Sequence, residues 1–158
     1  MFKSPDQALR FAFRTRESSV ISIPSASYIA DKTDNESNSD RLTKYDLHAQ
    51  AGMIFSFLSR RPEIEQAYAF YLHGAIGEQE IAAKLLAEKI GVRLQKYNLS
   101  LSQLTTAILG KSVRDVRDRA NMTHWKAYKF RGELADALAP VQNSLLYALD
   151  EWLQASED

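Results

Sequence analysis

The stretch "SVRDVRDRANMTHWKAYKFR", residues 112–131, decides how this chain folds and what it contacts, because basic and aromatic side chains are interleaved along it. Residues 111–131 carry seven Lys or Arg and only two Asp, whereas the whole chain has twenty basic and twenty acidic residues and no net charge. Screening limits the reach of a charge to about 10 Å, so a phosphate backbone senses this local excess and not the total. The stretch therefore predicts contact with a polyanion.

Apolar residues in this stretch fall where two helices joined by a tight turn must face each other. They are Val116, Ala120, Met122, Ala127 and Phe130. Asn121 lies at the turn, where the backbone must be left-handed and where Asn is tolerated best after Gly. Thr123 follows as an N-cap, whose hydroxyl accepts a hydrogen bond from a free backbone amide. The pattern predicts a helix-turn-helix at about residues 112–137, with its second helix over residues 123–137.

The outward positions of that second helix supply the candidate DNA-binding residues. A helix fits the major groove of double-stranded DNA, which is about 12 Å wide, with its N-terminal side chains at base edges and its cations at phosphates. We expect base contacts from His124, Trp125 and Tyr128. The other candidates, mostly cations expected at phosphates, are Arg114, Arg117, Arg119, Thr123, Lys126, Lys129 and Arg131. For Trp125 and Tyr128 a place in the core, packed on the C-terminal leucines, is an equal alternative.

The rest of the chain shows helical spacing almost throughout. We expect an all-α fold, a multi-helix bundle containing the helix-turn-helix, with a flexible N-terminal linker. Residues 1–16 are predicted as an N-terminal helix, residues 17–42, rich in Ser, Asp and Asn, as a partly disordered linker, and residues 43–158 as the helical domain. Pro140 is expected to kink or divide the last helical stretch.

A family resemblance rests on two segments. "VRDVRDRANMTHWKAYKFRGEL", residues 113–134, resembles the helix-turn-helix of sigma factor region 4, and its setting resembles prophage late-gene regulators of the Q antiterminator type. In that group a helical pair, here "DLHAQAGMIFSFLSRRPEIEQAYAFYLHG", precedes the DNA-reading unit. The resemblance implies a sequence-specific transcription regulator of phage origin that acts in antitermination and contacts RNA polymerase. Arg117 stands where such motifs usually carry alanine or glycine, and Asn121 where they usually carry glycine.

Signals for catalysis, metals and membranes are missing from the sequence. There is no cysteine, and His48, His73 and His124 are far apart in the chain. Neither a G-x-S-x-G elbow nor a glycine-rich phosphate loop occurs. No apolar run approaches the roughly twenty residues that span a bilayer, and the charged N-terminal stretch lacks the apolar centre of a signal peptide. We therefore expect a cytoplasmic protein that is not an enzyme, with no catalytic residues, no metal and no cofactor.

The C-terminal segment supports a second interpretation. After Arg131 the chain has six acidic residues and no Lys or Arg. Its apolar residues repeat every three or four positions and are Leu134, Leu138, Val141, Leu145, Leu149 and Leu153. Together with Trp152 this stripe would suit a homodimer or partner surface, and the acidic segment could neutralise the basic one. The alternative function is thus a non-enzymatic helical interaction or assembly module, such as a phage packaging subunit.

Overall fold

The architecture is helical throughout the part of the chain that the structure describes. The structure is a computed structural model, and it describes residues 2–21 and 43–156. These ranges hold seven α-helices and one 3₁₀-helix, without a strand, so the all-α prediction is confirmed. The chain divides into two compact units, Met1–Ser59 and Arg60–Asp158.

The first unit contains α1, Pro5–Ile21, and α2, Lys44–Ser59. Both helices begin at local caps: the Ser4 hydroxyl accepts from the amide of Gln7 at 3.3 Å, and the Thr43 hydroxyl accepts from the amide of Asp46 at 3.2 Å. The rings of Phe13 in α1 and Phe55 in α2 meet edge to face with centroids 5.0 Å apart. This aromatic contact joins the two helices of the unit.

Two expected boundaries differ from those of the structure. The N-terminal helix, expected to end at residue 16, continues to Ile21, since no glycine or proline stands between Pro5 and Pro24 to stop it. The rest of the expected linker, residues 22–42, lies outside the described residues. The helical domain expected over residues 43–158 does not coincide with either unit, because α2 packs with α1.

The second unit is built from consecutive α-helices, each packed against the next, and a 3₁₀-helix that packs against α4 and α7. It comprises α3, Glu63–His73; α4, Ile76–Ile90; a 3₁₀-helix, Gly91–Tyr97; α5, Leu101–Ile108; α6, Val113–Ala120; and α7, His124–Ala155. The last helix returns to pack against α3 as well as α6. The core of this second unit includes the fully buried side chains of Leu86, Ile108, Val116, Phe130, Leu145 and Leu149.

The helix α7 is one continuous element of 32 residues. At about 1.5 Å per residue it is about 48 Å long. Pro140 lies inside it without dividing it, although division was one of the two expected outcomes. The proline is exposed, and the buried residues on both sides, among them Leu138 and Leu145, hold the helix against the core. This packing offsets the hydrogen bond that proline removes.

One buried carboxylate ties α7 to α3. Glu65 is only 4% exposed, and it is the sole charged residue in the buried core of the described chain. Arg61 donates to it through Nε at 2.6 Å and through Nη2 at 3.2 Å, and the Ser144 hydroxyl of α7 donates to the same carboxylate. The hydrogen bond between Arg61 and Glu65 raises the pKa of Arg61. We call Arg61, Glu65 and Ser144 the Glu65 cluster; Arg61 and Ser144 satisfy a carboxylate charge that would be costly to bury alone.

Candidate nucleic-acid interface

The turn between α6 and α7 has the backbone that the sequence predicts. Asn121 adopts φ 52° and ψ 47°, in the left-handed region. Its amide and that of Met122, the latter at 3.1 Å, both donate to the carbonyl oxygen of Arg117, which closes the end of α6. The Thr123 hydroxyl then accepts from the amide of Lys126 at 3.3 Å and caps the start of α7. The left-handed backbone of Asn121 and the Thr123 cap therefore define where α6 ends and α7 begins.

Four of the five residues expected between the two helices are buried. Val116, Ala127 and Phe130 have no exposed surface, and Ala120 is 8% exposed. Met122 is only half-buried, because it lies in the turn itself and not on either helix. The ring of Phe130 also meets the ring of Tyr97 edge to face at 5.3 Å. The second helix is thus anchored on its inner side by a real core.

The preceding helix, α5, supports this pair at close range. A Cβ atom on Gly110 would clash with Cγ2 of Val116 and lie 3.1 Å from its Cα, so glycine lets the end of α5 approach α6 this closely. Ser112 then caps α6 by accepting from the amide of Asp115 at 3.1 Å. The motif is therefore a three-helix unit of α5, α6 and α7.

The three arginines of α6 differ in their ion pairs. Arg119 pairs with Asp115 at 2.9 Å, and Arg117 pairs with its neighbour Asp118 at 3.0 Å. A hydrogen bond from the backbone amide of Lys111, and then the bond from Arg119, lower the pKa of Asp115. Arg114 is exposed and makes no ion pair with any acidic residue that the structure describes. Of the three arginines of α6, only Arg114 is outside an ion pair with a described acidic residue.

The outer side of α7 carries the expected base-contacting residues. His124, Trp125 and Tyr128 are all exposed, Trp125 at 63% and Tyr128 at 59%, so the alternative that the two rings belong to the core does not apply. The rings are stacked, with centroids 5.8 Å apart and planes 15° apart. Thr123, Lys126 and Lys129 are exposed beside them. The Lys129 ammonium lies 5.3 Å from the centroid of the Trp125 ring.

Arg131 lies apart from this outer side. It is exposed, but its charge acts on Tyr71 of α3, whose hydroxyl donates to the carbonyl oxygen of Ile108 at 2.8 Å. Burial raises the pKa of Tyr71, and the positive charge of Arg131 offsets part of that rise. Arg131 is therefore at the edge of the candidate interface and not at its centre.

The acidic residue closest in sequence to the outer cations is already engaged. Glu133 forms an ion pair with Lys96 of the 3₁₀-helix, and this bond holds the pKa of Glu133 below its usual range. Tyr97 lies beside the same carboxylate; burial and then Glu133 raise the pKa of its hydroxyl to about 12. Glu133 thus belongs to the contact between the 3₁₀-helix and α7.

The remaining acidic residues that the structure describes on the second half of α7 lie far from the basic ones. Lys129 and Asp150 sit on the same continuous helix, so their backbones are about 32 Å apart, which is about three Debye lengths. Within the described chain, Asp150 and Glu151 therefore do not neutralise the start of α7. Asp136, seven residues after Lys129, lies nearer, about 10 Å along the helix.

Gly132 is a further residue of the candidate interface that the sequence interpretation did not include. It is exposed on α7, one helical turn beyond Tyr128 and two turns beyond Trp125, and a Cβ atom there would meet nothing within 4 Å. The fold does not require glycine here, because the residue has neither a positive φ nor a close neighbour. The available signal was its spacing of four and seven residues from the two aromatic residues.

Other kinds of site are not evident in the described ranges. Across residues 2–21 and 43–156, no three His, Asp or Glu side chains come close enough together to hold a metal ion. In the same ranges no helix combines the length and the apolar character needed to cross a bilayer. Comparison of the chain with protein-family models, with curated proteins and with solved structures finds no match.

Proposed function

We propose that this chain is a sequence-specific DNA-binding transcription regulator that reads the major groove with the first turns of α7. The observation that carries the proposal is the exposed outer side of α7, directly after a capped left-handed turn. There, Trp125, Lys126, Tyr128 and Lys129 project from a helix whose inner side is fully buried. Helices that enter the major groove need this combination of an anchored inner side and a free outer side.

The charges around this surface support binding to a phosphate backbone. Arg114, Lys126 and Lys129 are in no ion pair among the described residues, although the charge of Lys129 acts on Glu133, and this supports their contact with phosphates. Arg117 and Arg119 are held by aspartates and can join only by giving up those partners. Phosphate contacts position the helix, while His124, Trp125 and Tyr128 are placed to contact bases.

The more specific part of the proposal, a phage antiterminator-like regulator that contacts RNA polymerase, rests on the sequence resemblance. The left-handed Asn121 supports it, because this residue supplies the backbone conformation for which such motifs usually carry glycine. The helical pair that precedes the motif in that group corresponds to α2 and α3, which belong to different units in this chain.

The alternative proposal, a helical interaction or assembly module, depends on the acidic segment pairing with the basic one. In the described chain, Asp150 and Glu151 are about 30 Å from Lys129 along one helix, so this part of the acidic segment does not pair with the basic one, whereas Glu133 lies within reach of Lys129.

A binding assay with a charge reversal tests the proposal. The full chain is titrated against a fluorescently labelled duplex from a phage promoter region, and anisotropy is read at several salt concentrations. If four phosphates are contacted, affinity should fall about a hundredfold between about 50 and 200 mM salt, because released counterions drive binding. The double variant Lys126→Glu, Lys129→Glu should abolish the complex.

The chain offers a matched control for this variant. Lys84 and Lys89 are exposed on α4, away from the candidate interface. Reversing both changes the net charge by the same amount and should leave most of the affinity in place. Neither double variant should shift thermal unfolding by more than a degree or two, since exposed substitutions change stability by about 0.5 kcal/mol or less. Absence of any complex at low salt, or equal loss in both variants, would contradict the proposal.

A further inference from the structure

The stacked pair of Trp125 and Tyr128 is costly to leave exposed and is not required by the fold. The two rings are 63% and 59% exposed, while the inner residues of the same turns, Ala127 and Phe130, are completely buried. Large aromatic side chains contribute most when their surface leaves water. An exposed aromatic pair at the centre of a candidate recognition helix therefore indicates that a ligand covers it.

The arrangement of the pair determines which part of each ring a ligand meets. On a helix surface, residues three and four positions on lie on either side of the first residue. Tyr128 stacks on Trp125 at 15° between ring planes, and the Lys129 ammonium lies 5.3 Å from the centroid of the same indole. Tyr128 and Lys129 therefore cover part of the indole faces of Trp125, and the edge of the ring belongs to the surface that stays open to a ligand.

An indole edge carries a distinctive pair of chemical groups. The Nε1–H is a hydrogen-bond donor, and the C–H groups next to it are apolar. In the major groove, thymine presents the complementary pair, an O4 acceptor beside the C5 methyl group. Cytosine offers a donor in place of that acceptor, and guanine and adenine have no methyl group. The edge of Trp125 with the adjoining ring of Tyr128 thus matches thymine among the four bases.

We infer that Trp125 and Tyr128 together read thymine in duplex DNA, with the thymine methyl group packed against the ring edges. This inference rests on the proposed function and makes the two aromatic residues specificity-determining. The neighbouring Lys129 then serves two purposes: it holds the indole in place and contacts the adjacent phosphate.

The inference is tested with duplexes that lack single methyl groups. A short duplex is first selected from a random pool by the full chain, and each thymine in it is then replaced by deoxyuridine. Deoxyuridine keeps O4 and loses only the methyl group. At one or two thymine positions the dissociation constant should rise about fourfold, the ratio that corresponds to burying one methylene-sized group. Deoxyuridine at the other thymines should have no effect.

A variant links the effect to the aromatic pair. In the double variant Trp125→Ala, Tyr128→Ala, affinity for the thymine duplex should fall, and the same deoxyuridine substitutions should no longer matter. Tyr147→Ala is the matched control, because Tyr147 is also an exposed tyrosine of α7, at 66%, and it lies far along the helix from the interface. That variant should retain the full deoxyuridine effect.

The outcomes separate this inference from the proposed function. If the protein selects a duplex but no deoxyuridine position weakens binding, or if the effect persists in the double variant, the thymine inference is overturned and DNA binding stands. If the selected sequence binds more tightly as a single strand, the rings act as a stacking platform for unpaired bases, which also overturns it. If no duplex is bound even at low salt, both the proposed function and the inference are wrong.

Discussion

The first turns of α7 and its second half differ in whether their polar and charged side chains are buried or exposed. In the second half, the Ser144 hydroxyl donates to the carboxylate of Glu65. That residue is 4% exposed and is also paired with Arg61. In the first turns, Lys126 and Lys129 stand in solvent outside any ion pair among the described residues, although the charge of Lys129 acts on Glu133. In the second half a polar side chain fixes the contact between α7 and α3, whereas in the first turns the charged side chains are exposed.

The difference shows which residues serve the fold and which are free for a partner. A charge that is buried must be paired, because an uncompensated buried charge costs several kcal/mol. An exposed charge or ring without a neighbour adds little to stability, so its substitution should change binding and not folding. Three substitutions along and around α7 test this division.

The largest effect is expected from the inner aromatic residue of the first turns. Phe130→Ala should lower the free energy of unfolding by about 3–5 kcal/mol, because it leaves a cavity beneath Tyr97 and removes a completely buried ring. Tyr128→Ala, two residues earlier and 59% exposed, is the control and should change stability by less than about 1 kcal/mol. Chemical denaturation of both variants checks this; similar losses would erase the distinction between inner and outer sides.

A smaller effect is expected at the Glu65 cluster. Arg61→Ala removes the bidentate partner of a buried carboxylate and should cost about 2–3 kcal/mol, below the full range for a buried pair because the Arg61 side chain is 27% exposed. The adjacent exposed residue supplies the control, Arg60→Ala, which should be nearly neutral. Thermal or urea unfolding measures both. If Arg61→Ala is as mild as Arg60→Ala, the cluster does not fix α7 to α3.

The smallest effect concerns the exposed glycine of α7. Gly132→Ala should stabilise the chain by about 0.5–1 kcal/mol, since alanine favours the helix and its Cβ would meet nothing within 4 Å. The same change at Gly52, an exposed glycine in α2 with equally open space, should stabilise similarly. Only Gly132→Ala should weaken DNA binding, because the groove wall then meets an added methyl group. Unchanged affinity in Gly132→Ala would place that part of α7 outside the interface.

The helical fold and the turn were predictable because their signals are local. Asn121 and Thr123 each act on backbone groups within four residues, so the sequence alone indicates the turn and the start of α7. The division into two units was not predictable in this way. It depends on contacts such as that between Phe13 and Phe55, which lie on either side of a long intervening segment.

The candidate interface was predictable in its residues but not in its detail. Spacing placed Trp125 and Tyr128 on the helix, yet whether a ring is buried depends on what else packs there, and that became clear only in three dimensions. The pairing of Arg117 and Arg119 with aspartates likewise depends on side-chain conformations. The partnership of Glu65 with Ser144 joins distant parts of the chain and leaves no local signal.

The unbroken course of α7 through Pro140 gives its two ends a fixed rotational phase. A residue inserted or removed between Gly132 and Ser144 would rotate the stacked rings by about 100° relative to α3 and slide them by about 1.5 Å. The direction in which α7 presents its outer side chains to a groove is therefore set by the length of this segment as much as by the side chains themselves.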